Sequence, residues 1–414
     1  EGGRLAPMNV TYAPPPSEGG EIYWDPFDKT LRVDPHPIWR RLRDEAPVYY
    51  NDRYDFWALS RFIDVDAAHR DPQTFSSAHG TVLEMMTDDV MDAAGMMIFV
   101  DPPEHTRLRR LVSKAFTPRR IAELETSVRA LCAKLLDERR DDTTWDYVQQ
   151  FGAIVPASVI ATLLGVPAPD RDHVRSLIDQ LFHIEPGVGM VNDKAFIAGA
   201  ALYEYVDDQL KNRRKSPQND LLTDLVQAEV VDDDGVPRRL TEAESASFAI
   251  LLVSAGTETV ARLIGWAGLL LAAHMDQRAE LAADASLIPN AVEELLRYES
   301  PSPVQGRWTT AEVELHGQVI PADSKVLLLT GSAGRDERTY PDADRFDIHR
   351  SMDRHVSFGY GIHLCIGAAL ARLEGRIAIE ETLRRYPNWE VDTERAVLLF
   401  TSTVRGFSQL PISA

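Results

Sequence analysis

The stretch Phe358-Gly359-Tyr360-Gly361-Ile362-His363-Leu364-Cys365-Ile366-Gly367 decides how the rest of the chain is read. The two glycines ahead of Cys365 permit a tight bulged turn in which backbone N–H groups point at sulfur, and Gly367 lets a flat cofactor approach the backbone closely. The following Ala368-Ala369-Leu370-Ala371-Arg372-Leu373 reads as a helix. Cys365 therefore stands at a helix N-terminus, where the dipole lowers a thiol pKa. The expectation is a sulfur held as a thiolate. A lone cysteine is ordinarily a small buried apolar residue, but packing does not require three glycines in ten positions.

The second cysteine, Cys132, sits in Ala130-Leu131-Cys132-Ala133-Lys134-Leu135-Leu136, an apolar helical pattern that marks it as core. Two cysteines in such different settings do not make a disulfide framework, and a reducing compartment fits. A net charge of −20, from 64 acidic and 44 basic side chains, argues against a nucleic-acid partner. The longest apolar stretch, 248–273, is interrupted by Glu258 and Arg262, and the chain opens without a basic-then-apolar leader. A cytoplasmic, soluble monomer with no membrane span is expected. No linker divides the chain after the Pro- and Gly-rich opening, so residues 1–20 read as a flexible arm and 21–414 as one domain.

Helical periodicity dominates, over 37–44, 106–116, 121–138, 202–214, 241–274, 291–298 and 367–386. Strands are short: 48–50 with 56–59, 313–315 with 319–320 around His316-Gly317-Gln318, and 325–329. The class is mainly α with a small β part.

The long helix from 241 carries Ala255-Gly256-Thr257-Glu258-Thr259. A glycine in a helix interior costs about 1 kcal/mol against alanine, so a gap in use is expected at Gly256. Leu251, Ala255 and Thr259 share a face, and the Thr259 hydroxyl can bond back to the Ala255 carbonyl. Glu258 with Arg262 is, alternatively, an ordinary i,i+4 ion pair. In an acidic chain the run 105–120 stands out, with Arg107, Arg109, Arg110, Lys114, Arg119 and Arg120 and no acid.

The Cys365 stretch resembles the haem-binding loop of the cytochrome P450 family, Phe-Gly-x-Gly-x-His-x-Cys-x-Gly, and the resemblance covers the chain from about residue 21 onward. It implies the P450 fold, a triangular helical prism with a small β subdomain around heme b, whose iron Cys365 ligates. A thiolate axial ligand promotes O–O cleavage. Glu258 and Thr259 match the acid–alcohol pair of the oxygen-binding helix. His105, Arg109, Arg307 and His363 match the partners of the haem propionates. Phe358, Gly359, Ala255 and Gly367 lie against the ring. Glu294 and Arg297 match the family's Glu-x-x-Arg core, with Arg345 completing that structural network. The pocket is outlined by Leu251, Ser254, Ala255, Pro303, Val304, Gln305, Thr403 and Val404, under a methionine-rich lid at 82–97 containing Met85, Met86, Met91, Met96 and Met97.

The implied activity is that of a haem-thiolate monooxygenase. One atom of O2 enters an apolar small molecule, most simply as a hydroxyl, and the other is reduced to water. No flavin or iron–sulfur module is appended, so electrons come from a ferredoxin or flavodoxin with its reductase, with Arg110 and Lys114 on the solvent side of the basic run as the landing face. Absence of an amino-terminal anchor aligns the chain with the soluble bacterial branch. Peroxide-driven or non-hydroxylating chemistry on the same scaffold and a non-catalytic haem carrier are the alternatives; retention of Cys365, Glu258 and Thr259 speaks against the carrier.

Overall fold

The longest element begins where the sequence supplies a complete cap. The Thr241 side chain accepts from the Glu244 backbone N–H, and the Glu244 carboxylate accepts from the Thr241 N–H. From there helix Glu242–Ala273 runs for 32 residues, apolar on nearly every side, as a helix enclosed by protein must be. It is long and apolar enough to cross a membrane, but 78% of that window is buried inside the molecule. The computed structural model describes residues 20, 22–90, 95–113, 116–181, 192–231, 235–401 and 404–414. The expected arm at 1–20 lies, except for Gly20, outside the described residues.

Helices Ile154–Leu164, Asp193–Lys215 and Ala368–Arg385 pack directly on the central helix, and Glu125–Asp137 packs on Ala368–Arg385. Beside them is a five-stranded mixed sheet in the spatial order Val48–Asn51, Phe56–Leu59, Lys325–Leu328, Gln305–Thr309, Phe75–Ser76. Strand Lys325–Leu328 runs parallel to Phe56–Leu59 and antiparallel to Gln305–Thr309, pairing Val326 with Arg307. That register matters for function, because it turns Arg307 into the buried interior. Small hairpins, among them Val313–Leu315 with Gln318–Ile320 and Val397–Phe400 with Arg405–Gln409, complete the β part.

The expected helices are present with shifted ends. The stretch 121–138 is two helices, Pro118–Glu123 and Glu125–Asp137, the first started by Thr117, whose hydroxyl accepts from the Arg120 N–H, with Pro118 at the first helical position. Periodicity missed Ile154–Leu164, which has little amphipathic contrast, and Phe62–Arg70, whose buried face includes Asp64, Asp66 and His69.

Glu294 and Arg297, both fully buried on helix Ile288–Tyr298, are joined by two hydrogen bonds of 2.7 Å. Arg297 also donates to the carbonyls of Gly334 and Ala343, so one guanidinium pins two passes of distant chain. The third arginine is Arg350, not Arg345. Arg350 donates to Glu294 at 3.2 Å and to the carbonyls of Pro341, Asp342 and Arg345. The Arg345 side chain is 69% exposed, and only its carbonyl joins the network. The turn in which the Arg350 N–H bonds the Asp347 carbonyl brings the later arginine back onto Glu294. Breaking a buried pair costs about 3–5 kcal/mol, whereas surface substitutions stay within about 0.5 kcal/mol. Arg350→Ala should therefore lower the denaturation midpoint sharply and Arg345→Ala should leave it in place, measured by urea titration of the two variants side by side.

Glu374, on the helix that follows Cys365, is buried with one carboxyl oxygen lacking any hydrogen-bond partner, and burial pushes its pKa up to about 8. The folded state thus holds this proton more tightly than the unfolded chain, whose value is near 4.5. Stability from this group is fully present below that value and is lost as pH rises toward about 8. Glu374→Gln should flatten the fall in melting temperature between pH 5 and 8, with wild-type and variant scans run across that range as the check.

Candidate haem site

The Cys365 loop is built by its own backbone. The Cys365 N–H donates to the Phe358 carbonyl at 2.9 Å, and Gly359 to Val356 at 2.8 Å. Gly361 has φ +67°, and a Cβ there would stand 2.3 Å from the His69 carbonyl oxygen, so only glycine lets the loop close against helix Phe62–Arg70. Phe358 is held between His355, with ring centroids 5.7 Å apart, and the Arg372 guanidinium, 4.6 Å from its centroid. Arg372 and His355 are themselves fixed by Glu293.

Cys365 and Leu364 keep accessible surface, while Ala368 and Leu370 immediately beyond are buried. Cys365 is exposed, unlike the buried Cys132. Desolvation by the surrounding protein pushes the thiol pKa up; the Gly367 N–H, Arg109 and Arg372 pull it down by less. This corrects the expectation of a thiolate made by loop and helix alone. The donors are in place, but desolvation outweighs them, and a metal cation is what would hold the sulfur deprotonated.

Around Cys365 the expected cationic residues converge. Arg307 is buried and donates to the Gly306 carbonyl, and burial lowers its pKa to about 10, against a smaller upward pull from Asp101. Arg109, on helix Glu104–Ser113, donates to the Leu364 carbonyl next to Cys365. The His105 and His363 rings meet at a tilt of 58° with centroids 4.3 Å apart. Burial, aided by Arg109, lowers the His105 pKa to about 4; burial and then Arg307 lower that of His363 strongly. Both ring nitrogens of His105 are buried without a hydrogen-bond partner. Among the described residues one acid, Asp101, acts on Arg307 and His105, and its carboxylate is taken up by Ser76 and the Ser77 N–H. The Ser77 hydroxyl in turn meets His363 Nε2 at 3.2 Å.

Buried donors in excess of acceptors are costly unless a ligand completes them, about 1–3 kcal/mol for each unsatisfied group. Two guanidiniums and a set of neutral imidazoles match a ligand bearing two carboxylates. A flat cofactor with paired propionates and a metal facing Cys365 fits this donor set.

On the central helix, the Thr259 hydroxyl donates to the Ala255 carbonyl at 3.1 Å, as the spacing required. Ala255 is exposed and Ser254 and Thr259 half-buried; the Ser254 hydroxyl oxygen is buried and unpartnered. Gly256 does not leave an open gap. A Cβ there would meet Ile160 at 3.3 Å, so the glycine serves the close approach of helix Ile154–Leu164. Glu258 is buried in an ion pair with Arg262, which also donates to the Phe407 carbonyl. The alternative of an i,i+4 pair is thus realised alongside the acid–alcohol spacing.

The outlined pocket is only partly open. Val304 and Gln305 keep surface, while Leu251, Pro303 and Val404 are buried; Thr403 lies outside the described residues. Met86 and Met97 of the expected lid are buried, Met86 with its sulfur 2.7 Å from the place a Cβ on Gly306 would take, and Met91 lies outside the described residues. In the basic run, Arg107, Arg119 and Arg120 pair with Glu104, Glu123 and Asp224, whereas Arg110 is exposed and Lys114 lies outside the described residues. Sequence reading missed His69, Ser77, Asp101 and Arg350, which lie far from any motif that names them.

The family model described as "Cytochrome P450" matches residues 191–413. Cytochrome P450 123 of Mycobacterium tuberculosis is 41% identical, with 95% of this chain and 97% of that one covered. The vitamin D(3) 25-hydroxylase of Pseudonocardia autotrophica is 39% identical over 94% of this chain and 96% of its own length. Among solved structures, cytochrome P450 CYP109Q5 of Chondromyces apiculatus superposes with a TM-score of 0.84 at 36% identity, covering 94% of this chain and 97% of that one. The chain belongs to the cytochrome P450 family, whose members bind haem through a cysteine thiolate. It is a haem monooxygenase, an oxidoreductase acting with O2 and redox partners on a small molecule.

Proposed function

We propose that Cys365 Sγ is the iron ligand of heme b, that Arg109, Arg307, His105 and His363 receive the propionates, and that one oxygen atom of O2 is inserted into an apolar small molecule held beside Ala255. The observation that carries this reading is the excess of donors next to Cys365, with Arg307 buried and making no ion pair among the described residues and both His105 ring nitrogens unpartnered. When bound, the haem supplies dioxygen binding and activation, driven by electron donation from the thiolate. The reduced protein with carbon monoxide should show the red-shifted Soret band of thiolate-ligated haem, and Cys365→His should abolish it while haem can still be retained. An unchanged spectrum in the variant would assign the ligand elsewhere.

The chain's own groups then orient and move protons. Thr259 Oγ1, with its hydrogen donated to the Ala255 carbonyl, presents its lone pairs to water or dioxygen beside the helix. The Glu258 carboxylate stands one residue away on the opposite side, held by Arg262, and hands protons inward when it leaves that partner. Thr259→Ala should still consume reductant and O2 but divert much of the flux to hydrogen peroxide. Glu258→Gln should slow turnover by about 10²–10⁴-fold, the usual contribution of a positioned proton donor. Product, peroxide and NAD(P)H stoichiometry measured together separate the two roles.

The substrate is apolar or amphipathic. Ala255, Ser254, Val304 and Gln305 offer a short polar contact within apolar surroundings, and a relative at 39% identity carries the name of a hydroxylase of vitamin D(3). An acidic ferredoxin or flavodoxin is the electron donor in this reading, landing beside Arg110, which neighbours the arginine that touches the Leu364 carbonyl. First-electron transfer should fall as ionic strength rises, and Arg110→Glu should slow it without altering substrate binding, as stopped-flow reduction at two or more salt concentrations will read.

A further inference from the structure

His69 lies on the inner face of helix Phe62–Arg70, 3% exposed, with neither ring nitrogen hydrogen-bonded to protein. A histidine packed only as an apolar filler normally satisfies at least one nitrogen, because each buried unsatisfied polar group costs about 1–3 kcal/mol. Its place is specific. His69 Cε1 is 3.7 Å from where a Cβ on Gly359 would stand, and Gln305 Oε1 is 3.8 Å from the same point. The His69 carbonyl closes on Gly361, so the last turn of the helix lies flush against the Cys365 loop. Burial and then the nearby charge of Arg307 lower its pKa to about 3, and His69 in turn contributes to lowering that of His363. His69 therefore belongs to the same donor wall as Arg307, His363 and His105.

The charges of that wall balance two carboxylates with two guanidiniums, Arg109 and Arg307. Each carboxylate has about four lone-pair sites, more than one guanidinium held at the side of a cleft can fill. Neutral imidazoles complete the shell, since an uncharged ring still carries one N–H to donate. We propose that His69 donates a hydrogen bond to one haem propionate, anchoring helix Phe62–Arg70 to the cofactor edge. The inference rests on the reading that the Cys365 loop seats haem. His69 is a positioning residue for the cofactor and takes no part in oxygen chemistry. A donor at the propionate also draws negative charge away from the iron, so losing it should stabilise the ferric state.

The test is made on holoprotein. Haem release to excess apomyoglobin and the midpoint potential are measured for wild type, His69→Leu, which removes the donor, and His69→Gln, which keeps an N–H. Hydrogen bonds to charged groups contribute about 1.5–3 kcal/mol, equivalent to about 10- to 150-fold, so His69→Leu should release haem at least about tenfold faster, with a lower potential. His69→Gln should recover most of both. His69→Phe, a larger ring without a donor, carries the same expectation should the leucine variant fail to fold. Wild-type release and potential in His69→Leu, or a glutamine variant no better than the leucine one, would overturn the proposal. A wild-type protein without the red-shifted carbon monoxide band would instead overturn the seat itself, and the two failures are distinguished by that spectrum.

Discussion

The constraint on which the structure turns is an imbalance of buried charge and hydrogen-bond donors beside Cys365. Arg307, Arg109, His105, His363 and His69 come together with, among the described residues, one acid in range, Asp101, which Ser76 and Ser77 already occupy. A protein stable by only about 5–15 kcal/mol does not keep such a set unless a bound partner offsets it. Binding of a dianionic cofactor and completion of the interior are then one event. The histidines' low pKa values belong to the same economy of charge: burial, helped by the neighbouring arginines, keeps them neutral, so they add no further positive charge beside the guanidiniums.

The elements that hold this wall come from four regions distant in sequence, one of them helix Phe62–Arg70 with His69. Strand Gln305–Thr309 brings Arg307 by its register with Lys325–Leu328. Helix Glu104–Ser113 brings His105 and Arg109, and the loop ahead of helix Ala368–Arg385 brings His363 and Cys365. The Glu294, Arg297 and Arg350 network fixes the chain from Gly334 to Asp347 that leads into this loop. Rigidity in the buried ion network thus becomes positional accuracy at the cysteine. The central helix spends Gly256 on packing against Ile160 and leaves Ala255 exposed and Ser254 and Thr259 half-buried.

The thiol illustrates where local reasoning stops. Helix dipole, glycine turn and neighbouring arginines all act in the direction expected, yet crowding by protein raises the Cys365 pKa because desolvation is a property of the whole surround. Thr259 is the opposite case. Its bond to the Ala255 carbonyl follows from four-residue spacing on one helix, so it was legible before any tertiary contact.

The amino-acid sequence by itself determined what is local or carried by a dense motif: the cysteine loop, the long central helix, the Thr259 and Ala255 contact, the Glu294 and Arg297 pair, and a mainly helical class with a minor β part. It placed His105, Arg109, Arg307 and His363 only through family resemblance. The tertiary structure alone decided that Arg350 rather than Arg345 reaches Glu294, that Gly256 is filled by Ile160, that Asp101 and Ser77 brace His363, and that His69 is buried against the Cys365 loop with both ring nitrogens unpartnered. The physical reason is common to all four. Each depends on which of several similar side chains a turn, a strand register or a helix crossing carries into one place, and burial sets that choice through contacts between residues far apart in the chain, which leave no period or spacing in it.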